Sequence, residues 1–220
     1  MDPKTPPTPD VIDHPAPLTI RDARADEFDA LGRLLVRVYS ALDGFPTPAE
    51  QPRYYELMAN VGRFARVPQA RVLVAVRADA VLAGGVVYFG DMAHYGSGGR
   101  ATLVRDASGM RLLGVDPWHR GAGVGRSLTR ACIALARRRG HAQMILHTTA
   151  PMQVAWRLYE SLGFVRFEDL DFAQQGLPVF GFRLALTGVR PHGANRAPCT
   201  CTPPDTQDPG PRGHRAGILR

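Results

Sequence analysis

The sequence predicts a mixed α/β domain built on one sheet. Two runs rich in β-branched residues, 71–77 and 81–89, flank Ala78-Asp79-Ala80 and read as a hairpin. Beyond them, short apolar runs alternate with segments whose apolar residues recur at helical spacing. A glycine-rich turn, Gly121-Ala122-Gly123-Val124-Gly125, joins one such run to a long helical segment. Strands that first pair locally and then alternate with helices give a mixed sheet.

Taken in order, Leu18–Arg21 is a short strand. From Ala25 to Leu42 a helical stripe is carried by Phe28, Leu31, Leu34, Leu35, Val38 and Tyr39, and Asp43-Gly44-Phe45-Pro46-Thr47-Pro48 ends it. A second helix is expected over Ala49–Ala65, with Tyr54, Leu57, Met58, Val61 and Phe64 on one side. After the hairpin, Asp91–Gly109 is polar and glycine-bearing, with a short strand extension at Thr102–Val104. Met110–Val115 is a strand, Asp116–Arg120 a turn, and Gly123–Arg139 a helix with Val124, Leu128, Cys132 and Leu135 inward. Met144–His147 is a strand. Pro151–Leu162 is a helix with proline in its first turn and Gly163 past its end, the expected asymmetry. Phe164–Glu168 and Phe180–Leu186 are the closing strands.

A chain of 220 residues suffices for one domain of ordinary size. Residues 1–17 are rich in proline and aspartate, and 188–220 in Pro, Gly, Arg and Thr without any apolar period. Both are expected to be disordered, leaving 18–187 as the folded domain. No apolar run approaches the length of a membrane span. The start of the chain lacks an apolar stretch behind a basic segment, so a cytoplasmic location is expected.

The net charge of +7 comes almost wholly from arginine, Lys4 being the only lysine. The arginines are scattered, and the one run, Arg137-Arg138-Arg139, ends a helix where cations complement the helix dipole. A nucleic-acid surface is not expected. Three cysteines, Cys132, Cys199 and Cys201, make no disulfide framework and no metal-ligand spacing. Cys132 lies on an apolar stripe as a small buried hydrophobe, and no metal site is predicted.

The chemistry lies in Leu112-Leu113-Gly114-Val115-Asp116-Pro117-Trp118-His119-Arg120-Gly121-Ala122-Gly123-Val124-Gly125. A strand feeds a glycine turn that opens into a helix. The first helical N–H groups have no intrahelical acceptor, so they form a seat for phosphate. A P-loop would need glycine at 120 and lysine at 126, where the chain has Arg120 and Arg126. A dinucleotide fingerprint would need a third glycine at 126. Both nucleotide readings fail.

Arg120, Gly123 and Gly125 instead fit Arg/Gln-x-x-Gly-x-Gly/Ala, the coenzyme A-binding motif of the GNAT N-acetyltransferase superfamily. The resemblance extends upstream to Leu113-Gly114-Val115-Asp116-Pro117 and downstream to Ala155-Trp156-Arg157-Leu158-Tyr159-Glu160-Ser161-Leu162-Gly163-Phe164, which is similar to the family's A-x-x-L-Y-x-x-L-G-F signature. It covers 18–186 and is strongest over 110–168. It implies a mostly antiparallel twisted sheet, splayed at the cofactor site and flanked by about four helices. It also implies an acetyl-CoA-dependent N-acetyltransferase. The backbone of Leu113 and Val115 would bond the pantetheine arm like an added strand. The amides of Arg120, Gly121, Ala122, Gly123, Val124 and Gly125, with Arg126, would hold the pyrophosphate. Tyr159 would point at the sulfur as proton donor, against the simpler reading of a core aromatic on the stripe Met152, Trp156, Tyr159, Leu162. The acceptor would be a small-molecule or peptide amine, and the resemblance admits a homodimer.

A lysine-like ammonium has a pKa of about 10.4, so about one part in 10³ is free base at pH 7 and some group must take its proton. Many relatives carry a glutamate where this chain has Gly109. That departure leaves Glu50, Glu56, Asp43, Asp91, His94, Asp106 and His147, or an ordered water, as open candidates. It also motivates an alternative, a non-catalytic acyl-CoA-binding sensor of the same fold. Acceptor choice is expected from the 42–50 connection and the 91–109 loop, whose Asp43, Phe45, His94 and Tyr95, with Tyr54 and Tyr55 nearby, suit an amine with an apolar or aromatic body.

Overall fold

A computed structural model describes residues 17–78 and 80–186. Eight strands form one sheet: β1 (Leu18–Asp22), β2 (Ala70–Arg77), β3 (Leu82–Phe89), β4 (Ala107–Val115), β5 (Gln143–Thr149), β6 (Val165–Arg166), β7 (Phe172–Gln174) and β8 (Leu177–Ala185). Four α-helices flank it: α1 (Phe28–Ser40), α2 (Pro52–Ala59), α3 (Val124–Arg138) and α4 (Gln153–Ser161). The strand order is β1-β2-β3-β4-β5-β8-β6, with β7 paired to β8. Only β4 and β5 run parallel; every other pairing is antiparallel.

Alternation along the strands builds two cores, one on each face. Val72, Val74, Val87 and Ile145 face the side covered by α1 and α2, where Leu31, Leu35 and Met58 are fully buried. Leu73, Ala75, Met144 and Leu146 face α3, whose Leu128, Cys132 and Ala136 are equally buried. In α1, Leu31, Leu34, Leu35, Val38 and Tyr39 follow the i, i+3, i+4, i+7, i+8 stripe of a helix lying on a sheet. That helix sits close because β3 and β4 lack side chains beneath it. A Cβ at Gly85 would lie 2.5 Å from Leu31, and one at Gly114 2.6 Å from Leu35.

Several boundaries differ from expectation. The helix expected over Ala49–Ala65 is α2 followed by a 3-10 segment, Val61–Arg66. Asn60 breaks it: its side-chain amide donates to the Glu56 carbonyl, competing with the helical ladder. Strand β4 begins at Ala107, and Ala101–Leu103 is a 3-10 turn in place of the expected strand extension. The expected strand Phe164–Glu168 shrinks to β6, because Glu168–Leu170 closes into a 3-10 turn. Strand β7 has no counterpart among the expected strands, and β8 starts earlier than Phe180. Except for Pro17, the terminal segments expected to be disordered lie outside the described residues, as do Cys199 and Cys201.

Helix α4 ends in a Schellman motif. Gly163 adopts φ +89°, its N–H donates to the Glu160 carbonyl at 2.9 Å, and the Phe164 N–H donates to the Tyr159 carbonyl at 3.1 Å. The accompanying apolar contact is Phe164 against Tyr159, with ring centroids 5.9 Å apart. Gly163→Ala is expected to destabilise the domain by about 1–2 kcal/mol, the cost of a left-handed non-glycine residue. Urea denaturation read by circular dichroism would measure the change.

Candidate active site

Pairing between β4 and β5 ends at Met110 opposite Leu146, although β4 continues to Val115 and β5 to Thr149. Each strand leaves with its other neighbour. His147, Thr148 and Thr149 stay registered with Gly181, Phe180 and Val179 of β8. Gly114 and Val115 stay with Gly85 and Gly84 of β3, across a register shift. Leu112 lies in that irregularity with φ +56°, a bulge conformation uncommon for a branched side chain. The strands therefore part, and the β4 edge beyond Met110 faces a cleft of about 430 Å³.

Strand β4 points that edge toward the glycine turn. Asp116 shapes the turn by accepting from the Trp118 N–H at 3.0 Å and pairing with Arg37. Gly121 and Gly123 both adopt φ +76°, and nothing lies within 4 Å of where their Cβ atoms would stand. The first helical bond runs from the Ser127 N–H to the Gly123 carbonyl. The N–H groups of 121–126 therefore have no acceptor among the described residues. Leu113, Val115, Arg120, Gly121, Gly123, Val124, Gly125 and Arg126 all line the cleft. Ala122 is exposed and does not line it. The Val124 side chain is buried in the α3 core, and Arg126 is tethered to α4 through the Ser161 hydroxyl at 3.0 Å. Arg120 is exposed.

Tyr159 also lines the cleft. Its ring is buried against Phe164, and its hydroxyl bonds to no described residue. Burial pushes the phenol well above its ordinary range, so it stays protonated at neutral pH.

A smaller cavity of about 60 Å³ adjoins the cleft, sharing Tyr39, Arg111, Leu112, His147 and Met152 with it. Of the seven candidate bases only His147 reaches either space. Glu50 is at an outer mouth, held by the Thr47 N–H and hydroxyl. Asp91 caps the Ala93 N–H and Asp106 accepts from the Ala142 N–H. Asp43, Glu56 and His94 are exposed. His147 has a defined tautomer. Its Nε2 lies 3.0 Å from the Leu170 carbonyl, which can only accept, so Nε2 carries the hydrogen and Nδ1 the lone pair. That lone pair faces the Tyr95 hydroxyl at 3.1 Å and the Ser97 hydroxyl at 3.4 Å. Burial lowers the pKa of His147 to about 4; the Leu170 carbonyl opposes the shift and Arg111 adds to it.

The absence of a carboxylate at Gly109 has a steric cause. A Cβ there would lie 2.5 Å from the Tyr95 ring and 2.9 Å from the Met92 sulfur. The aromatic ring occupies the space a strand-borne side chain would need. Of the residues expected for acceptor choice, Phe45, Tyr54 and Tyr95 line the smaller cavity. Asp43 and His94 do not, and Tyr55 is turned away, its hydroxyl donating to the Pro46 carbonyl at 2.8 Å. Arg111, Thr148, Thr149, Phe172 and Leu177 also line it, unannounced by the sequence: Phe172 and Leu177 come from strand segments not recognised, Thr148 and Thr149 lie just past the expected strand Met144–His147, and Arg111 sits within an expected strand. Among the described residues no group of His, Cys, Asp and Glu is arranged to hold a metal, and no helix is long and apolar enough to cross a membrane.

Known proteins share this architecture. The GNAT-family acetyltransferase of Staphylococcus aureus Mu50 superposes with TM-score 0.60 at 14% identity, covering 77% of this chain and 99% of its own. The protein yncA of Salmonella typhimurium, solved with its cofactor acetyl-CoA, gives TM-score 0.53 at 23% identity, covering 84% and 100%. In sequence, a mycothiol acetyltransferase of Streptosporangium roseum is 48% identical over 60 residues, 27% of this chain and 18% of that protein. N-acetylaspartate synthetase of Danio rerio is 38% identical over 69 residues, 31% and 24% of the two chains. The chain thus spans less than a quarter of the length of these curated relatives. The family profile described as Acetyltransferase (GNAT) family matches residues 35–164, more than half of the 220 residues, and the chain belongs to that family.

Proposed function

We propose that this protein transfers an acetyl group from acetyl-coenzyme A to a primary amine by direct attack on the thioester. The observation that carries the reading is the gap between β4 and β5. Its unpaired strand edge leads at one end to the free amides of the glycine turn and at the other to a neutral histidine beside an aromatic cavity.

The residues present fit the donor. The N–H groups of 121–126 and the guanidinium of Arg120 offer hydrogen bonds and positive charge to a pyrophosphate. The β4 edge at Leu113 and Val115 offers backbone bonds to an extended amide-bearing arm. Acetyl-coenzyme A supplies the activated carbonyl carbon and a thiolate leaving group. The same burial that holds His147 neutral acts with the same sign on an ammonium group brought beside it, so the site favours the free amine. As the amine's lone pair forms the N–C bond, its nitrogen becomes cationic. The Nδ1 lone pair of His147 takes the proton, directly or through the Tyr95 hydroxyl, while the Leu170 carbonyl holds the resulting imidazolium from the far side. The C–S bond then breaks, the sulfur accepts a hydrogen bond from Tyr159, and the imidazolium proton leaves to solvent.

The sensor alternative drew its motive from Gly109. That position is filled by the Tyr95 ring, which delivers its hydroxyl to His147, and this favours turnover over binding alone.

Release of free thiol from acetyl-coenzyme A in the presence of pooled primary amines tests the reading; folded protein that shows no acetyl-coenzyme A binding by calorimetry would end it. Tyr159→Phe is expected to lower kcat by about tenfold or more while leaving acetyl-coenzyme A affinity nearly unchanged. His147→Gln is expected to lower kcat by about 10²-fold, and steady-state kinetics would read both variants. The same substitution has a signature in stability. Folded His147 titrates near 4 and its ordinary value is 6.5, so the unfolded chain binds more protons between them. Its contribution is full above pH 6.5 and is lost as pH falls toward 4; denaturation midpoints of His147→Gln should lack that part of the acid slope.

A further inference from the structure

The acetyl-transfer reading leaves the acceptor's chemistry open, and the smaller cavity carries information about it. Among the described residues its lining holds one formally charged side chain, Arg111, and no carboxylate. Arg111 is fixed in place: Nη1 donates to the carbonyls of Tyr95 and Gly96 at 2.8 and 2.9 Å, and the guanidinium lies 5.7 Å from the Tyr95 ring centroid. Its Nε–Nη2 edge makes neither hydrogen bond nor ion pair among the described residues. That edge presents two parallel N–H donors, the fork that matches the two oxygens of a carboxylate.

One further donor stands in the same wall. Side chains alternate along β5, so Thr149 shares the face of Ile145 and His147 while Thr148 turns to the opposite one. The Thr149 hydroxyl is buried, at 5% residue exposure, and has no hydrogen-bond partner among the described residues; buried polar groups are ordinarily satisfied, so it is a place for a ligand to complete. Apart from the neutral Gln51, Ser97, Gln174 and His147, the rest of the wall is apolar or aromatic, with Phe45, Tyr54, Phe172 and Val179. An acceptor with a second ammonium would meet a fixed guanidinium and no balancing carboxylate.

Resting on the acetyl-transfer reading, the geometry points to an acceptor that carries its own carboxylate: a primary amine of compact apolar body whose carboxylate engages the free edge of Arg111 and the Thr149 hydroxyl. The class is that of apolar or aromatic amino acids. The reaction stays acetyl transfer, with the carboxylate unchanged throughout.

Matched sets decide it. Leucine and phenylalanine are compared with their amides and with the corresponding decarboxylated amines, by thiol release from acetyl-coenzyme A. A peptide with amino-terminal aspartate and an amidated carboxyl end separates a side-chain carboxylate from an α-carboxylate. The expected result is kcat/KM higher by roughly 10- to 100-fold for the carboxylate-bearing member of each set, the range of charge-assisted hydrogen bonds. Arg111→Gln should remove that preference, and Arg111→Lys should keep part of it. Equal or better use of amides, decarboxylated amines or spermidine overturns the proposal, as does a preference that survives Arg111→Gln in folded protein. If Arg111→Gln unfolds, the wild-type comparison decides alone. Calorimetry of leucine against leucinamide, with coenzyme A present and absent, measures the carboxylate preference independently of turnover. Carboxylate-dependent binding without acetylation keeps the subsite and defeats the transferase reading; acetylation that ignores the carboxylate does the reverse.

Discussion

Everything at this site depends on two neighbouring strands that stop being neighbours. A parallel pair that continued past Met110 and Leu146 would satisfy its own backbone groups and leave no opening. Instead β8 holds β5 on one side and β3 holds β4 on the other, and the bulge at Leu112 lets β4 turn away without losing β3. The Leu113 carbonyl of that edge accepts from the Tyr39 hydroxyl at 3.4 Å, and the rest is tolerable because it faces an open cleft, where water or a ligand can complete it.

Placed at the mouth of that opening, the glycine turn and the start of α3 supply donors in one direction, and β5 supplies His147 in the other. The histidine is set by contacts from three separate segments: the Leu170 carbonyl, the Tyr95 hydroxyl and the edge of Phe172, whose ring centroid lies 5.3 Å away. Tyr95 is the hinge of this arrangement. It stacks edge-on against Phe89, excludes any side chain at 109, and carries its hydroxyl to the imidazole. A single aromatic residue thus fills the space a side chain at 109 would need while its hydroxyl meets the imidazole.

The donor half of the site was legible in the sequence because it is contiguous. Residues 113–126 are one strand, one turn and one helix start, so local backbone rules show where amides are left unpaired, and the resemblance implied what they would hold. Tyr159 was singled out by the resemblance of 155–164 to the family signature, since helical spacing alone reads it as a core aromatic. The acceptor half was not, because it is assembled from segments far apart in the chain. Thr148 and Thr149 look like strand residues, Arg111 like a solvent-facing one, and Phe172 belongs to a three-residue strand too short to show a period. His147 stood among seven candidates until the fold showed that six of them face elsewhere. The helix over Ala49–Ala65 failed for a smaller reason, since apolar spacing survives a 3-10 segment well enough to hide the break at Asn60.

This division between a contiguous donor cradle and a mosaic acceptor wall bears on how such a protein diversifies. Changes at positions 45, 54 or 172 alter what the small cavity admits while leaving residues 113–126 untouched, so under the proposed reaction new acceptor preferences can arise without loss of the donor site. Arg111, His147 and Met152 belong to both spaces. Those seam positions, more than the rest of the wall, tie the choice of partner molecule to the efficiency of the chemistry, and there drift is least free.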